Sequence, residues 1–218
     1  GNSASWGVAI GSAITVDGNR INLVQANVGT CTQNGAGNFC GGIVSRGSTA
    51  TLTNNIVFGV KGPRSTALLL TDGEGGLGDV IVNANYLDGA GNGGADTTFS
   101  SAIAVYLNQG NTGTFGKVRN NILLGGTNKN RYGIYEEQMG GKTAHLAAIE
   151  NNDFWNAGTP KNDFAYRTWN GATTADVTFA QLNTITTPTP TANIASDPLV
   201  DASFHLAPNS PCINKGTL

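Results

Sequence analysis

An asparagine that returns along the chain at similar intervals constrains the fold more than any other feature. Each copy follows a short run of β-forming residues and precedes apolar residues, and in three of the four clear copies a glycine comes next. The clear copies are Asn55, Asn85, Asn121 and Asn152, with spacings of 30, 36 and 31 residues, and a weaker copy is at Asn19. A period of roughly 20 to 50 residues is typical of stacked structural units.

A small residue within a strand-like run forms a second marker, which precedes each clear asparagine by 13 to 19 residues. The four markers are Gly42, Ala67, Ala102 and Gly133. The strand-like runs are short and rich in Val, Ile, Leu and Thr, which favours strands. Glycine disfavours helices, and with 31 copies in 218 residues it interrupts most windows that are long enough for one. The variable segments between markers are consistent with insertions at the turns of stacked coils.

These patterns predict an all-β chain folded as a right-handed parallel β-helix, a single-stranded solenoid closed by a C-terminal capping segment. Equivalent side chains stack along such a solenoid, so the asparagines can form a hydrogen-bonded ladder. The small marker residues let the backbone bend at little steric cost. A leucine-rich repeat has a shorter period and a stricter leucine pattern, and an immunoglobulin-like sandwich does not explain the asparagines.

Composition limits the classes of partner. The net charge is −2 and only 12% of residues are charged, which argues against a nucleic-acid partner. No run of about 18 apolar residues occurs, so we expect no membrane span. The sequence opens without Met or a visible signal peptide, as expected of a mature or cleaved product.

Two of the three cysteines, Cys31 and Cys40, bracket a short polar loop. A disulfide there would stabilise a loop that has little core of its own, and we predict this pairing in an oxidising compartment. Cys212 would then be unpaired, and we expect it to be buried.

The repeat pattern changes after the fourth asparagine. We therefore assign residues 1–158 to β-helix coils and residues 159–218 to an irregular, Thr/Pro-rich segment, a last coil and the C-terminal cap, all in one continuous domain. Residues 175–182 fit a short helix. The Thr/Pro tract at 184–191 should run extended over the surface.

The C-terminal segment reads DPLVD at 197–201, FHL at 204–206 and SPCINKG at 210–216. It resembles the closing segment of bacterial secreted right-handed parallel β-helix repeat proteins, the pectate-lyase-like solenoid family. The resemblance implies the fold and a secreted, extracellular or cell-surface location. It implies no single activity, because that family includes polysaccharide lyases, hydrolases and adhesins. Phe204 and Leu206 alternate with His205, so we expect them to cover the core of the last coil, with His205 in a structural role.

Chemistry-bearing residues are few. The best mixed cluster contains the catalytic candidates Arg131, Glu136, Lys142 and His145, although a charged solvent face or ladder-end ion pairs fit these residues better. Asp72, Glu74 and Asp79 could hold Ca²⁺ through hard oxygen ligands, although a solvated turn fits their spacing better, and we expect no other cofactor. Trp155, Tyr166 and Trp169 could form a sugar-stacking platform, although aromatic residues are more often in the core.

The scarcity of ionisable residues favours an extracellular structural or adhesive protein without enzymatic activity, for example a self-assembling filament or surface-layer subunit. An uncapped first coil presents strand edges at its N-terminal end, so we expect another copy or an upstream domain to be a partner there, with polysaccharide a further candidate. The alternative is a polysaccharide lyase or glycoside hydrolase that acts on an extracellular polysaccharide. A non-catalytic glycan-binding module is a third hypothesis.

Overall fold

The computed structural model describes residues 6–11, 13–22, 39–46, 49–62, 64–72, 78–91, 99–107, 112–138, 143–156, 162–169 and 173–216. Their regular elements are strands and one short helix, in the order β1 Trp6–Ile10, β2 Ile14–Asp17, β3 Arg20–Asn22, β4 Cys40–Arg46, β5 Ala50–Thr53, β6 Ile56–Phe58, β7 Arg64–Thr71, β8 Ile81–Asn83, β9 Tyr86–Asp88, β10 Phe99–Leu107, β11 Thr112–Arg119, β12 Ile122–Leu124, β13 Asn130–Gln138, β14 Thr143–Glu150, β15 Asp153–Phe154, β16 Asn162–Trp169, β17 Thr174–Val177, α1 Phe179–Leu182 and β18 Thr189–Thr191.

Every third strand from β1 to β16 belongs to the same sheet, so the chain winds as a parallel β-solenoid. Sheet A contains β1, β4, β7, β10, β13, β16 and β17, sheet B contains β2, β5, β8, β11, β14 and β18, and sheet C contains β3, β6, β9, β12 and β15. Strands that occupy the same position in successive coils pair in parallel, for example β7 with β10 and β10 with β13. The predicted all-β, parallel β-helix fold is confirmed.

The predicted asparagine ladder lies at the turn between sheets B and C. The side-chain Nδ2 of Asn55 donates to the Oδ1 of Asn85 (2.9 Å), and that of Asn85 donates to Asn121 (2.9 Å). Each Oδ1 also accepts the backbone N–H of the preceding ladder residue, as Asn85 does from Asn55 (2.9 Å). The other hydrogen of each Nδ2 is donated to a backbone carbonyl of the preceding coil. Asn121, for example, donates to the carbonyl oxygen of Val82 (2.9 Å). The buried amides therefore have partners for both donors.

The ladder is longer than the four clear repeats. Asn19 begins it by donating to Asn55 (3.0 Å), which confirms the weaker copy. Asn193 ends it, accepting from Asn152 (3.1 Å) and donating to the carbonyl of Ile149 (2.8 Å). The residue before each ladder position from the second coil onward has a positive φ of 53–57°, which reverses the chain in two residues: Asn54, Ala84, Asn120, Asn151 and Ala192.

The small marker residues have a steric role in the interior. A Cβ at Gly42 would overlap the side chain of Val57, and one at Gly133 would overlap the ring of Phe154. Val57 and Phe154 are the buried residues of sheet C in the same coils. Sheet A approaches sheet C so closely at Gly42 and Gly133 that only glycine fits, whereas the other two markers, Ala67 and Ala102, are buried alanines. This is a stronger constraint than backbone bending alone.

The C-terminal end of the core is covered differently from our prediction. After β16 the chain turns back as β17, which pairs antiparallel to β16, and α1 follows. Val177 and Leu182 are buried in the core cluster, so they cover the last coil in place of Phe204 and Leu206. The helix predicted over 175–182 is confined to its second half, because its first half pairs as a strand.

The Thr/Pro tract is also more ordered than predicted. Thr189–Thr191 forms β18, which pairs in parallel with β14 and extends sheet B into a sixth coil. The bridge between Asp153 and Ile194 then extends sheet C. The expectation of an extended surface tract over 184–191 therefore holds only for Thr189–Thr191, which pairs as a strand, and Pro188 beside it is buried.

Residues 196–216, here called the strap, fold back along the outer face of sheet C. The strap reaches the early coils at Phe204, whose ring centroid lies 4.8 Å from those of both Phe58 and Tyr86. The guanidinium of Arg20 lies 5.1 Å from the Phe204 ring centroid. The strap then returns toward the later coils, where the Cys212 thiol lies 3.1 Å from an oxygen of Asp153. It therefore spans the side of the solenoid from the last coil to the first.

Cys31 lies outside the described residues, so its pairing with Cys40 stays a prediction. Cys40 is buried in β4. Cys212 has a free thiol and is half-buried, less than expected. Burial and then the neighbouring Asp153 raise the pKa of the Cys212 thiol to about 12, which keeps it protonated and unreactive at neutral pH.

Substitution of Asn121 with alanine should strongly destabilise the solenoid. It removes an acceptor for two donors of Asn85 and a donor to Val82 at once. Each unsatisfied buried group costs about 1–3 kcal/mol, so we expect the free energy of unfolding, measured by urea denaturation, to fall by at least about 3 kcal/mol. Asn19→Ala is the control at the exposed end of the ladder and should cost about 1 kcal/mol. Equal losses in the two variants would contradict the ladder's importance.

Substitution of Gly133 with alanine should force sheets A and C apart. Overpacking of this kind costs about 1–3 kcal/mol, and each kcal/mol lowers the melting temperature of a chain of this size by about 2–4 °C. Gly11→Ala is the matched control, because a Cβ at Gly11 meets nothing within 4 Å. An unchanged melting temperature for Gly133→Ala would show that the interior has spare room.

Candidate functional site

Of the four catalytic candidates, the three that the structure describes do not converge on one site. Arg131 and Glu136 are both in β13 but five residues apart, which separates their Cα atoms by roughly 16 Å along the strand. His145 lies in β14 and approaches Glu136. Lys142 lies outside the described residues.

Glu136 is fully buried in an inward-facing column of sheet A, in register with Val105 of the preceding coil. Its carboxylate lies 2.9 Å from Nδ1 of His145 and accepts the backbone N–H of Leu146 (3.3 Å). The hydroxyl of Tyr166 lies beside it, and burial, followed by the charge of Glu136, raises the Tyr166 pKa well above its usual value. This carboxylate connects sheet A to sheet B inside the core and has no exposed surface to offer a substrate.

Arg131 belongs to a separate contact. It forms a two-point ion pair with Asp163 of the next coil, with one nitrogen–oxygen distance of 2.7 Å. The Arg131 side chain is 8% exposed, and Asp163 also accepts from Asn156 (3.3 Å). The pair joins neighbouring coils. It therefore fits the alternative given in the sequence analysis, in which these residues form ladder-end ion pairs.

The outer face of sheet A carries an aromatic cluster enclosed by two arginines. Phe99 stacks on Tyr135 with centroids 4.1 Å apart, and Tyr132 stacks on Phe164 at 5.3 Å. The remaining members are Phe39 and Tyr106. These rings come from the non-consecutive strands of one sheet or from residues beside them, so the sequence alone does not show that they meet.

The charges around this cluster are matched. Arg64 lies over Phe99 (4.7 Å from its centroid) and pairs with Glu137, while Arg167 lies over Tyr135 (5.1 Å) and pairs with Asp176 (3.7 Å). The hydroxyl of Tyr135 donates to Glu137 (3.3 Å).

Desolvation is the main cause that raises the pKa of both Tyr132 and Tyr135 to about 12, with nearby carboxylates adding to it. Phenols with such pKa values stay protonated at neutral pH and are poor general bases.

The sugar-stacking platform suggested for Trp155, Tyr166 and Trp169 cannot include Tyr166. Tyr166 faces the interior and has no exposed surface, so it cannot join Trp155 in stacking on a sugar. Trp155 is half-buried after β15. The side chain of Trp169 lies outside the described residues.

The calcium candidates are only partly described. Asp72 is buried at the end of β7, Asp79 is exposed, and Glu74 lies outside the described residues. Within the described ranges, no group of three His, Cys, Asp or Glu side chains is placed to hold a metal ion. The calcium site stays a prediction.

A cleft of about 370 Å³, which no sequence pattern predicts, lies between the strap and the ladder turns. Its lining includes Ile56, Tyr86 and Ile122 of sheet C and Phe204, Leu206 and Lys215 of the strap. It exists because the strap returns beside the turns, a tertiary contact with no local sequence pattern.

Comparisons with known proteins give no further guidance. No family model matches the chain, and no curated protein and no solved structure matches it. Among the described residues, no helix is long and apolar enough to span a membrane.

Replacement of His145 by alanine should leave Glu136 buried without its partner. Loss of the hydrogen-bond partner of a buried polar group costs about 1–3 kcal/mol, measurable by urea denaturation. The double variant Glu136→Leu/His145→Ala should recover more than half of that loss, since an apolar side chain suits the column that contains Val105. A double variant as unstable as the single variant would show that His145 stabilises the fold by packing alone.

Proposed function

We propose that this protein is a non-enzymatic extracellular β-solenoid with a structural or adhesive role. The observation that carries the proposal is that the three catalytic candidates within the described residues are engaged in internal contacts. Glu136 is fully buried against His145, and Arg131 is paired with Asp163. The sequence resemblance to secreted β-helix proteins supports the extracellular location.

The two ends of the solenoid differ, and this supports a role for the N-terminal edge in assembly. Within the described ranges, β1, β2 and β3 each pair on one side only, with β4, β5 and β6. Ile14 of β2 is 49% exposed, the largest exposure among the exposed large hydrophobic residues of the described chain. Unpaired parallel edges of this kind accept further strands.

The C-terminal end is a poorer acceptor for another copy. β17 runs antiparallel to the sheet it closes, and Pro190, in the middle of β18, has no N–H to donate to a further strand. Continuation of sheets A and B into a next subunit is therefore disfavoured at this end. We propose that the N-terminal edge joins an upstream domain or the same edge of a second copy, rather than the C-terminal end of one in an open filament.

The polysaccharide lyase or glycoside hydrolase alternative is tested directly. The purified chain should release no products from a panel of neutral and acidic polysaccharides, assayed by reducing ends and by absorbance of unsaturated products. Cleavage that is lost in His145→Ala variants still folded by circular dichroism would overturn the non-enzymatic proposal.

Assembly is tested by sedimentation velocity and electron microscopy of the chain at increasing concentration. If copies associate through the N-terminal edge, particles joined end to end in pairs should appear, and Ile14→Lys should disperse them. Ile213→Lys is the control, because Ile213 is a similarly exposed isoleucine (38%) on the strap. Dispersal by Ile213→Lys alone, or long filaments insensitive to Ile14→Lys, would contradict this use of the edge.

A further inference from the structure

The cleft beneath the strap has the size and shape of a small-molecule site. Its volume of about 370 Å³ is near the lower end of the usual range for ligand pockets, which is about 300–1,000 Å³. One wall is the row of positive-φ turn residues that includes Asn54, Ala84 and Asn120, and the opposite wall is the strap. Gly216 of the strap packs directly against the turn row, because a Cβ at this position would lie only 3.2 Å from Oδ1 of Asn120.

The floor of the cleft is apolar and comes from one outward-facing column of sheet C. Ile56, Tyr86 and Ile122 are in register on β6, β9 and β12, so their side chains follow one another at the strand spacing of about 4.8 Å. Phe204 and Leu206 add apolar surface from the strap. A ligand that fills this volume therefore needs an apolar body.

The two charged residues of the lining, Asp153 and Lys215, differ in how accessible they are to a ligand. Asp153 is 2% exposed, and its two oxygens already accept from the Ser196 N–H (3.0 Å) and the Cys212 thiol (3.1 Å). Lys215 is exposed and takes part in none of the ion pairs formed among the described residues. The ammonium of Lys215 is thus the one charge in the lining that is left to meet a ligand.

We infer that this cleft is a binding site for a small organic carboxylate with an apolar body. The apolar part lies on Ile56, Tyr86 and Ile122 between the turn row and the strap, and the carboxylate pairs with Lys215. No bond is made or broken, so the site is one of binding alone. This assignment is independent of the structural or adhesive role proposed above.

The test compares 3-phenylpropionate with 3-phenylpropan-1-ol, which share their apolar body and differ in charge. Both are titrated into the isotopically labelled full chain, and binding is followed by amide and methyl chemical shifts. The carboxylate should bind more tightly than the alcohol, with shifts confined to β6, β9, β12 and the strap. Lys215→Ala should weaken carboxylate binding about two- to fivefold, as expected for an exposed ionic contact, and leave alcohol binding unchanged. Lys117→Ala, an exposed lysine on sheet B, is the charge control.

A second pair of variants tests the floor. Ile122→Ala should weaken binding of both compounds about fivefold or more, because it removes apolar surface that the ligand would cover. Leu124→Ala is the matched control, on the same short strand but outside the cleft lining, and should change neither affinity. If Ile122→Ala does not fold, Leu206→Ala removes apolar lining from the exposed strap instead. Absence of binding, equal affinity for acid and alcohol, or shifts that map elsewhere would overturn the assignment.

Discussion

The hydrogen-bonded ladder of asparagine amides is the interaction on which the rest of this structure depends. A two-residue turn between sheets B and C leaves backbone groups that neither sheet can satisfy, and these groups lie inside the solenoid, away from water. An amide side chain at each turn supplies both an acceptor and two donors, and it connects each coil to both neighbours. Because the ladder runs through six coils, it fixes the register of the three sheets relative to one another.

The interior follows from that register. Once Val57 and its equivalents are fixed on sheet C, the facing positions of sheet A must be Gly42 or a similarly small residue. The inward columns that follow on sheet A take larger side chains, and one of them contains Glu136 in register with Val105, where an apolar residue would be expected. Buried carboxylates of this kind are often functional, but this one is saturated by His145 and a backbone N–H, which makes it a connection between two sheets.

The coils could be predicted from the sequence because their constraints are local and repeated. The asparagine and the small residue mark one coil each, and the variable segments between them do not disturb the pattern. Asn193 was missed because the insertion that forms β17 and α1 lengthens its spacing from Asn152 to 41 residues. The dipeptide Asn193-Ile194 still matches Asn55-Ile56 and Asn121-Ile122. Asn193 could therefore be recognised from its neighbouring residue, although not from its spacing.

The candidate site was less predictable, because its contacts depend on where turns and tails return. The sequence leaves Tyr166 between a surface platform and the core, and its register with Ile134 places it in the core. The arginine contacts of the aromatic cluster join residues from different coils, such as Arg64 and Glu137. The path of the strap depends on Phe204 meeting Phe58 and Tyr86, which lie far from it in sequence. A periodic sequence pattern does not predict contacts of this type.

The strap changes how this solenoid can come apart. A linear array of coils normally frays from its ends, because each terminal coil is held by one neighbour only. Here the chain that leaves the last coil is anchored at the opposite end of the molecule, where Arg20 and Phe58 hold Phe204. Loss of the first coils would release the strap, and loss of the strap would uncover the side of every coil it crosses. We therefore expect the two ends of the array to unfold together rather than one coil at a time.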